Sequence, residues 1–150
     1  MRKFKYRLAG LENIKGMELD ALRQELANAQ EELRRSQEEV LDLRHALDTT
    51  YNELAEMRRG TVDSLILLSL ESYTGVLRDQ IRAVLQRIAD QRAALSEAQE
   101  RLAEKHKEKK VLEKYRERKE AEYRQYVERE QQKELDETAA NIYQQERLAQ

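Results

Sequence analysis

Apolar residues recur along the first half of the chain at alternating intervals of three and four residues. Two interleaved series, each with a period of seven, carry this pattern. The first series is Leu19, Leu26, Leu33, Val40, Leu47 and Leu54, and the second is Leu22, Ala29, Ser36, Leu43, Thr50 and Met57. On an α-helix both series fall on one narrow stripe, which is the pattern of a helix paired with another in a coiled coil.

The second half of the chain repeats the pattern. One series is Leu67, Thr74, Ile81, Ile88, Leu95 and Leu102, and the other is Leu70, Leu77, Val84, Gln91, Ala98, Lys105 and Leu112. Beyond Leu112 the pattern fades, since the next positions are Arg116, Lys119, Tyr123 and Tyr126. At the start of the chain, Phe4, Leu8 and Leu11 continue the first stripe. We therefore predict helix one over about 4–58 and helix two over about 62–147.

A break separates the halves at about 59–63. Gly60 suits the left-handed conformation that ends many helices, and Thr61, Asp63 or Ser64 can cap the next helix. So short a connection makes neighbouring helices antiparallel. The prediction is an all-α fold, a single domain over 1–150 that forms a long antiparallel two-helix coiled-coil hairpin whose second helix is the longer. The alternative is one continuous helix in a parallel dimer.

Pairing about Gly60 would place residue i opposite roughly residue 120 − i. Residues beyond about 117 would then have no partner within the chain. Gly75, inside the second helix, either costs about 1 kcal/mol relative to alanine or marks a close helix contact.

The composition supports long helices. The chain has no Pro and only four Gly, so few residues break a helix. Without Cys no disulfide can form. The most apolar run, 62–70, is far too short to span a bilayer, and the basic start is not followed by a signal-peptide core. We expect a soluble cytoplasmic protein with no direct membrane insertion.

Charge is distributed unevenly despite a formal net charge of −2. Residues 17–56 hold eleven Asp and Glu against four Arg. Basic residues concentrate where the two ends of the hairpin meet, at Arg2, Lys3, Lys5, Arg7, Lys15, Lys105, Lys107, Lys109, Lys110, Lys114, Arg116, Arg118 and Lys119. A solvated helix surface accounts for many of these charges, and an acidic protein partner is the functional alternative. Interleaved Glu argues against nucleic-acid binding.

Two further sets of residues favour partner binding. Leu65, Ile66, Leu67, Leu68 and Leu70 offer more apolar width than one partner helix covers, so part of this surface should be exposed. Tyr115, Tyr123 and Tyr126 lie at or beyond the end of the paired region, and tyrosine is enriched at interfaces.

Catalytic chemistry finds no support in the sequence. His45 and His106 are isolated, there is no Cys nucleophile, and no metal-binding or phosphate-binding motif is present. We predict that the protein is not an enzyme and needs no cofactor or metal.

Several stretches resemble the FliJ family, small coiled-coil proteins of the bacterial flagellar export apparatus. The opening Phe4-Lys5-Tyr6-Arg7-Leu8 with Leu11 is similar to the start of many members. The run Glu130-Gln131-Gln132-Lys133-Glu134-Leu135-Asp136-Glu137 resembles the family's C-terminal signature, as do Leu112-Glu113-Lys114 and Tyr123. The resemblance spans the whole chain.

This resemblance implies a role in flagellar biogenesis and motility, as a two-helix rod similar to the central stalk of rotary ATP synthases. Such a rod would be monomeric when free. It would insert its open end into the hexameric export ATPase, promote assembly of that enzyme, and link it to the export gate membrane protein and to export chaperones. It would lie in the cytoplasm, associated peripherally with the inner membrane through the export apparatus. On this basis the expected ATPase contacts are Phe4, Leu8, Leu11, Lys109, Arg116, Tyr123, Tyr126 and Lys133.

The resemblance also implies a face that contacts the export gate. Its expected residues are Leu47, Tyr51, Tyr73, Leu77 and Val84, although some members carry Tyr and His where Leu47 and Val84 stand. Two alternatives stay open. One is the equivalent stalk of a virulence type III secretion system, and the other is a structural coiled-coil scaffold that self-associates through its seam.

Overall fold

The computed structural model describes residues 3–61 and 63–149. Its secondary structure there consists of two α-helices, α1 over Ala9–Met57 and α2 over Ser64–Leu148, with no strand in these residues. α1 has 49 residues and α2 has 85. The prediction of an all-α fold with a longer second helix is confirmed, and the arrangement is that of a helical hairpin.

The connection between the helices uses backbone and side-chain caps. The amides of Arg59 and Gly60 donate to the carbonyls of Glu56 and Met57, at 3.1 and 3.3 Å, and so satisfy carbonyls left free at the helix end. Gly60 does not have a positive φ, so the predicted left-handed conformation is wrong. Asp63 caps α2, because its Oδ1 accepts the Leu65 amide at 3.0 Å. Val62 lies outside the described residues.

The first helix begins at Ala9 and not near residue 4 as the heptad pattern predicted. Residues 3–6 are non-helical, and Arg7 and Leu8 form a turn. Phe4, Tyr6 and Leu8 are half-buried, whereas the basic residues between them are exposed. An extended chain sends alternate side chains to opposite sides, so it gathers these three on one side.

Contacts divide the chain into two compact units. The first, called the hairpin unit here, is Leu19–Ala103, and the second, called the terminal unit, combines residues 1–18 with residues 104–150. In the hairpin unit every predicted seam position is buried or half-buried. Leu19 and Leu77 are 1% and 2% exposed, and Val40, Val84 and Ile88 form a buried cluster. These residues are the knobs of the predicted coiled coil.

Antiparallel pairing is set at a different register from the one predicted. Arg87 forms an ion pair with Glu39, where pairing about Gly60 would have placed residue 81. Arg58 similarly bonds Glu71 at 2.9 Å. The observed pairing is therefore displaced by six residues along α2, since Arg87 stands where residue 81 was predicted.

Two threonines occupy buried seam positions without leaving their hydroxyls unsatisfied. Thr50 Oγ1 donates to the Ala46 carbonyl at 2.8 Å, and Thr74 Oγ1 donates to the Glu71 carbonyl at 2.7 Å. Such bonds back to the same helix allow a polar residue to lie in an apolar seam, since a buried hydroxyl without a partner is costly.

In the terminal unit the helices also run antiparallel. Glu12 bonds Arg116 at 3.4 Å, and the ring of Phe4 lies against that of Tyr123. Pairing therefore extends past residue 117, the limit that pairing about Gly60 predicts. All described residues from 131 to 149 are exposed, so this part of α2 has no cover from the described chain.

Gly75 provides a direct test of helix propensity in this fold. A Cβ added at Gly75 meets nothing within 4 Å, which excludes the close helix contact considered above. We expect Gly75→Ala to raise the free energy of unfolding by about 0.5–1 kcal/mol, because alanine loses less backbone entropy in a helix. Urea unfolding followed by circular dichroism measures this.

Gly60→Ala is the matched control. It also has open space around the added Cβ, but it lies outside both helices. Its effect should be smaller than that of Gly75→Ala. A clear loss of stability in Gly75→Ala would contradict the proposed cause.

Candidate protein-binding surfaces

An aromatic cluster holds the extended N-terminal segment against α2 in the terminal unit. The ring centroids of Phe4 and Tyr123 are 5.4 Å apart, and those of Tyr6 and Tyr115 are 6.4 Å apart, with interplanar angles of 45° and 44°. Tilted pairs at these distances are favourable because the ring edge of one meets the electron-rich face of the other. We call these four residues the aromatic clasp.

Tyr6 is the best-connected member of the aromatic clasp. Its hydroxyl donates to the Leu112 carbonyl at 3.2 Å, and the Arg116 guanidinium lies 5.6 Å from its ring centroid. Desolvation, followed by the nearby Glu12 carboxylate, raises the pKa of the Tyr6 hydroxyl above its usual value. The phenol therefore stays protonated and able to donate.

The clasp borders an open groove of about 570 Å³. It is lined by residues 4–8 together with Tyr115 and Lys119. The Lys119 ammonium is 5.6 Å from the Tyr115 ring centroid and 2.7 Å from Glu122 Oε2. Aromatic and cationic side chains at the edge of a groove are typical of surfaces that contact another protein.

Many of the predicted basic contacts are already paired within the terminal unit. Arg116 bonds Glu120 at 3.1 Å as well as Glu12, and Lys109 lies 4.0 Å from Glu113. Lys15 bonds Glu108 at 2.9 Å. These cations stabilise the helix pair in addition to any role toward a partner.

The remaining predicted ATPase contacts fall into two groups. Phe4 and Leu8 are half-buried in or beside the clasp, together with Tyr123. Leu11 and Tyr126 are 42% and 60% exposed, and Lys133 is exposed and bonds Glu130 at 2.9 Å. The structure thus brings Phe4 against Tyr123 and places Leu8 in the groove that Phe4 also lines, while the other three lie at the surface.

The exposed segment of α2, residues 131–149, carries apolar side chains that nothing in the described chain covers. Leu135, Ile142 and Tyr143 are 64%, 53% and 67% exposed. Leu135 and Ile142 are seven residues apart and lie on one helix face, with Ala139 between them. We call these three residues the distal stripe.

The predicted gate-binding residues all lie in the hairpin unit, but they are not equally accessible. Leu77 and Val84 are 2% and 5% exposed and pack in the seam, and Leu47 is half-buried. Tyr51 and Tyr73 are 37% and 47% exposed. Only the two tyrosines present substantial surface to a partner.

The two tyrosines lie on opposite sides of the seam. Tyr51 accepts hydrogen bonds from the Arg78 guanidinium, whose carbon is 5.5 Å from the Tyr51 ring centroid. Tyr73 precedes Arg87 by two heptads and shares its side of the seam, where Arg87 bonds Glu39. A single flat partner surface cannot cover both tyrosines.

The side that carries Tyr51 also contains an apolar groove of about 400 Å³. Val40 and Ile88 line it together with Leu41 and Leu85, which are 63% and 42% exposed. Arg44 and Arg92 complete the lining, and neither forms an ion pair within the described residues. Sequence reasoning missed Leu41 and Leu85 because they stand outside the heptad series.

Sequence reasoning did not assign Tyr6 to a site, and it offered Lys119 only as one of the basic residues for an acidic partner and not as part of a groove. The signal for Tyr6 was present in the alternation of basic and apolar residues over 3–8, which is typical of an extended chain. No comparable pattern points to Lys119, because its place in the groove depends on where the N-terminal segment lies.

The described residues contain no cluster of three or more side chains suited to hold a metal ion. Neither helix, as far as the structure describes it, includes an apolar stretch long enough to cross a membrane.

Comparison with known families decides the assignment. The family model described as "Flagellar FliJ protein" matches residues 4–148, nearly the whole chain. The chain belongs to the FliJ family. Membership gives it a role in flagellar protein export, a type III export process. Searches of curated proteins and of solved structures found no significant match.

Leu77 is a predicted gate contact whose burial indicates a role in the stability of the fold instead. We expect Leu77→Ala to lower the free energy of unfolding by about 2–4 kcal/mol, since it removes a fully buried side chain and leaves a cavity. Leu65→Ala, at a residue 72% exposed, should change it by less than about 0.5 kcal/mol. Urea unfolding of both variants measures the difference, and equal effects would show that Leu77 is not a core residue.

The ion pairs of Glu108 predict that the stability of the fold depends on pH. The hydrogen bond from Lys15 holds the pKa of the Glu108 carboxyl below its ordinary value of 4.5, with a further contribution from Lys105. A lowered pKa stabilises the folded state fully above pH 4.5 and loses its effect as pH falls through the folded-state value. We expect Glu108→Gln to lower Tm near neutral pH, with the deficit shrinking in acid.

Glu117→Gln is the control for this prediction. Glu117 is exposed and forms no ion pair among the described residues, so its loss should leave Tm nearly unchanged across the same pH range. A Glu108→Gln deficit that persists unchanged well below pH 4 would refute the ion-pair explanation.

Proposed function

We propose that this FliJ-family chain binds the hexameric export ATPase through its terminal unit, as a central-stalk-like element that promotes assembly and activity of the enzyme. The observation that carries the proposal is the exposed segment of α2. This end of α2, over residues 131–148, carries apolar side chains and has no cover from the rest of the described chain.

The distal stripe is well suited to such a contact. Leu135, Ala139 and Ile142 lie on one helix face at spacings of four and three residues, which is how an amphipathic helix docks against another protein. A helix without tertiary packing is only marginally stable in water. Binding would therefore bury these side chains and stabilise the segment together.

The predicted contacts nearer the clasp have a second role in this proposal. Phe4, Leu8 and Tyr123 hold the N-terminal segment against α2 and so fix the surface presented there. Leu11, Tyr126 and Lys133 are the exposed members that would touch the ATPase. Arg116 and Lys109, paired with carboxylates of the same unit, would orient that surface.

We assign the export-gate contact to the side of the hairpin unit that carries Tyr51. The apolar groove beside Leu41 and Leu85 lies on this side. It offers exposed apolar surface, and the arginines at its edge form no ion pair within the described residues. Tyr73, on the other side, would then serve a different contact, for which the export chaperones are the candidate.

The remaining parts of the proposal follow from the same role. The free protein would be a monomer without catalytic activity of its own. It would be cytoplasmic and would reach the inner membrane through the export apparatus. The family assignment favours the flagellar system over the virulence one.

The experiment adds the full chain to its cognate export ATPase and follows both ATP hydrolysis and hexamer formation. We expect stimulation by the natural chain and its loss on deleting residues 131–150. Replacing Leu135 and Ile142 by serine should weaken apparent affinity by about a hundredfold or more, since the two buried apolar side chains together contribute about 3 kcal/mol.

The matched control replaces Glu137 and Gln144 by serine. Both lie in the same exposed segment but on the opposite helix face from the distal stripe, so stimulation should persist. If the natural chain fails to bind the ATPase and light scattering shows a stable homodimer, the proposal is wrong and a structural scaffold replaces it.

A further inference from the structure

A row of four basic residues follows one face of α2 in the terminal unit. Its members are Lys107, Lys110, Lys114 and Arg118. All four are exposed, and within the part of the chain that the structure describes none of them forms an ion pair or a side-chain hydrogen bond. We call these residues the basic row.

The basic row faces away from the rest of the terminal unit. Its spacings of three, four and four residues keep it on a single stripe of the helix. Leu112, Arg116 and Lys119, which contact or line the N-terminal segment or α1, lie on the other side of the same turns. The row is therefore distinct from the surface assigned above to the ATPase.

The basic row does not stabilise the helix pair. Lys110 stands four residues before Lys114, and Lys114 four before Arg118, so like charges are neighbours on the helix surface. Such pairs repel and weaken a helix. Elsewhere in this unit Lys15, Lys109 and Arg116 have carboxylate partners, so those cations take part in ion pairs that the row lacks among the described residues.

The composition of the row distinguishes a membrane surface from a protein partner. Three of the four residues are lysines, which are depleted at protein–protein interfaces, whereas the aromatic residues enriched there are absent from the row. Lysine acts as a hydrated point charge without the planar fork of arginine. Clusters of about four to eight such charges on a helix bind anionic lipid surfaces.

We propose that the basic row is an electrostatic docking site for an anionic phospholipid surface. The helix lies on the headgroups without inserting, since Val111 is the one large apolar side chain beside the row among the described residues. Contact relieves the repulsion along the row and releases counterions. The basic row shares no residue with the surface proposed above for the ATPase, so substitutions can test the two sites separately.

The test measures co-sedimentation of the full chain with vesicles of equal parts phosphatidylglycerol and phosphatidylcholine, and with pure phosphatidylcholine vesicles. The natural chain should bind only the anionic vesicles, and binding should weaken steeply as salt rises. Replacing all four row residues by glutamine should reduce binding by about a hundredfold or more, since each cation near the surface contributes about fivefold.

The matched control replaces Arg59, Arg82, Arg101 and Arg124 by glutamine. These are exposed arginines outside the row, so both variants lower the net charge of −2 by the same four units. The control should bind anionic vesicles nearly as well as the natural chain. Circular dichroism checks that both variants keep their helices, as glutamine is a good helix former.

Three results would overturn the proposal. The first is equal binding of the natural chain to both kinds of vesicle, or to neither. The second is an equal loss in the control variant, which would assign binding to net charge alone. The third is a row variant that no longer stimulates the ATPase, together with a natural chain that does not bind anionic vesicles. This result would make an acidic protein surface the partner of the row. The row variant is expected to keep that stimulation.

Discussion

The structure depends on a narrow apolar seam, to which only two residues in every seven contribute. A helix as long as α1 or α2 gains little stability from propensity alone, and packing of its apolar face supplies most of it. Within each unit, pairing buries that stripe and leaves the remaining positions in water. Leu19 and Leu77 are almost fully buried, while the residues between the seam positions are largely exposed.

The seam also determines which surfaces are free for partners. Where α2 continues beyond its cover, from residue 131, apolar side chains remain exposed at the surface of the described chain. In the hairpin unit the two sides of the seam differ in chemistry. One side combines Tyr51 with an apolar groove, and the other pairs Glu39 with Arg87. A partner can therefore distinguish the two sides although both belong to the same pair of helices.

The heptad pattern predicted the core of the hairpin unit position by position. With two apolar residues in every seven, only one face of each helix can pack against a partner helix. The pattern did not predict the register. The offset that brings Arg87 opposite Glu39 depends on where each helix ends, and helix ends depend on local caps such as Asp63. The predicted start of α1 near residue 4 is wrong for a related reason. Phe4 and Leu8 fit a helical stripe, but residues 3–8 also alternate with a period of two, and the extended conformation prevails there. The aromatic clasp, Leu41 and Leu85 lie outside any heptad series, and only their three-dimensional placement reveals them.

Fold and binding are carried by nearly separate sets of residues in this chain. Leu77 resembles a contact position of the family in sequence and Val84 stands where some members carry a different residue, yet the burial of both makes them supports of the seam. The distal stripe and the basic row contribute nothing to the seam, and the basic row opposes helix stability through its own repulsion. A residue that packs in a two-helix seam has almost no exposed surface left. One side chain therefore cannot both stabilise the seam and contact a partner here. Substitutions at exposed positions should therefore remove one partner at a time while leaving the helices intact, which a compact globular domain rarely permits.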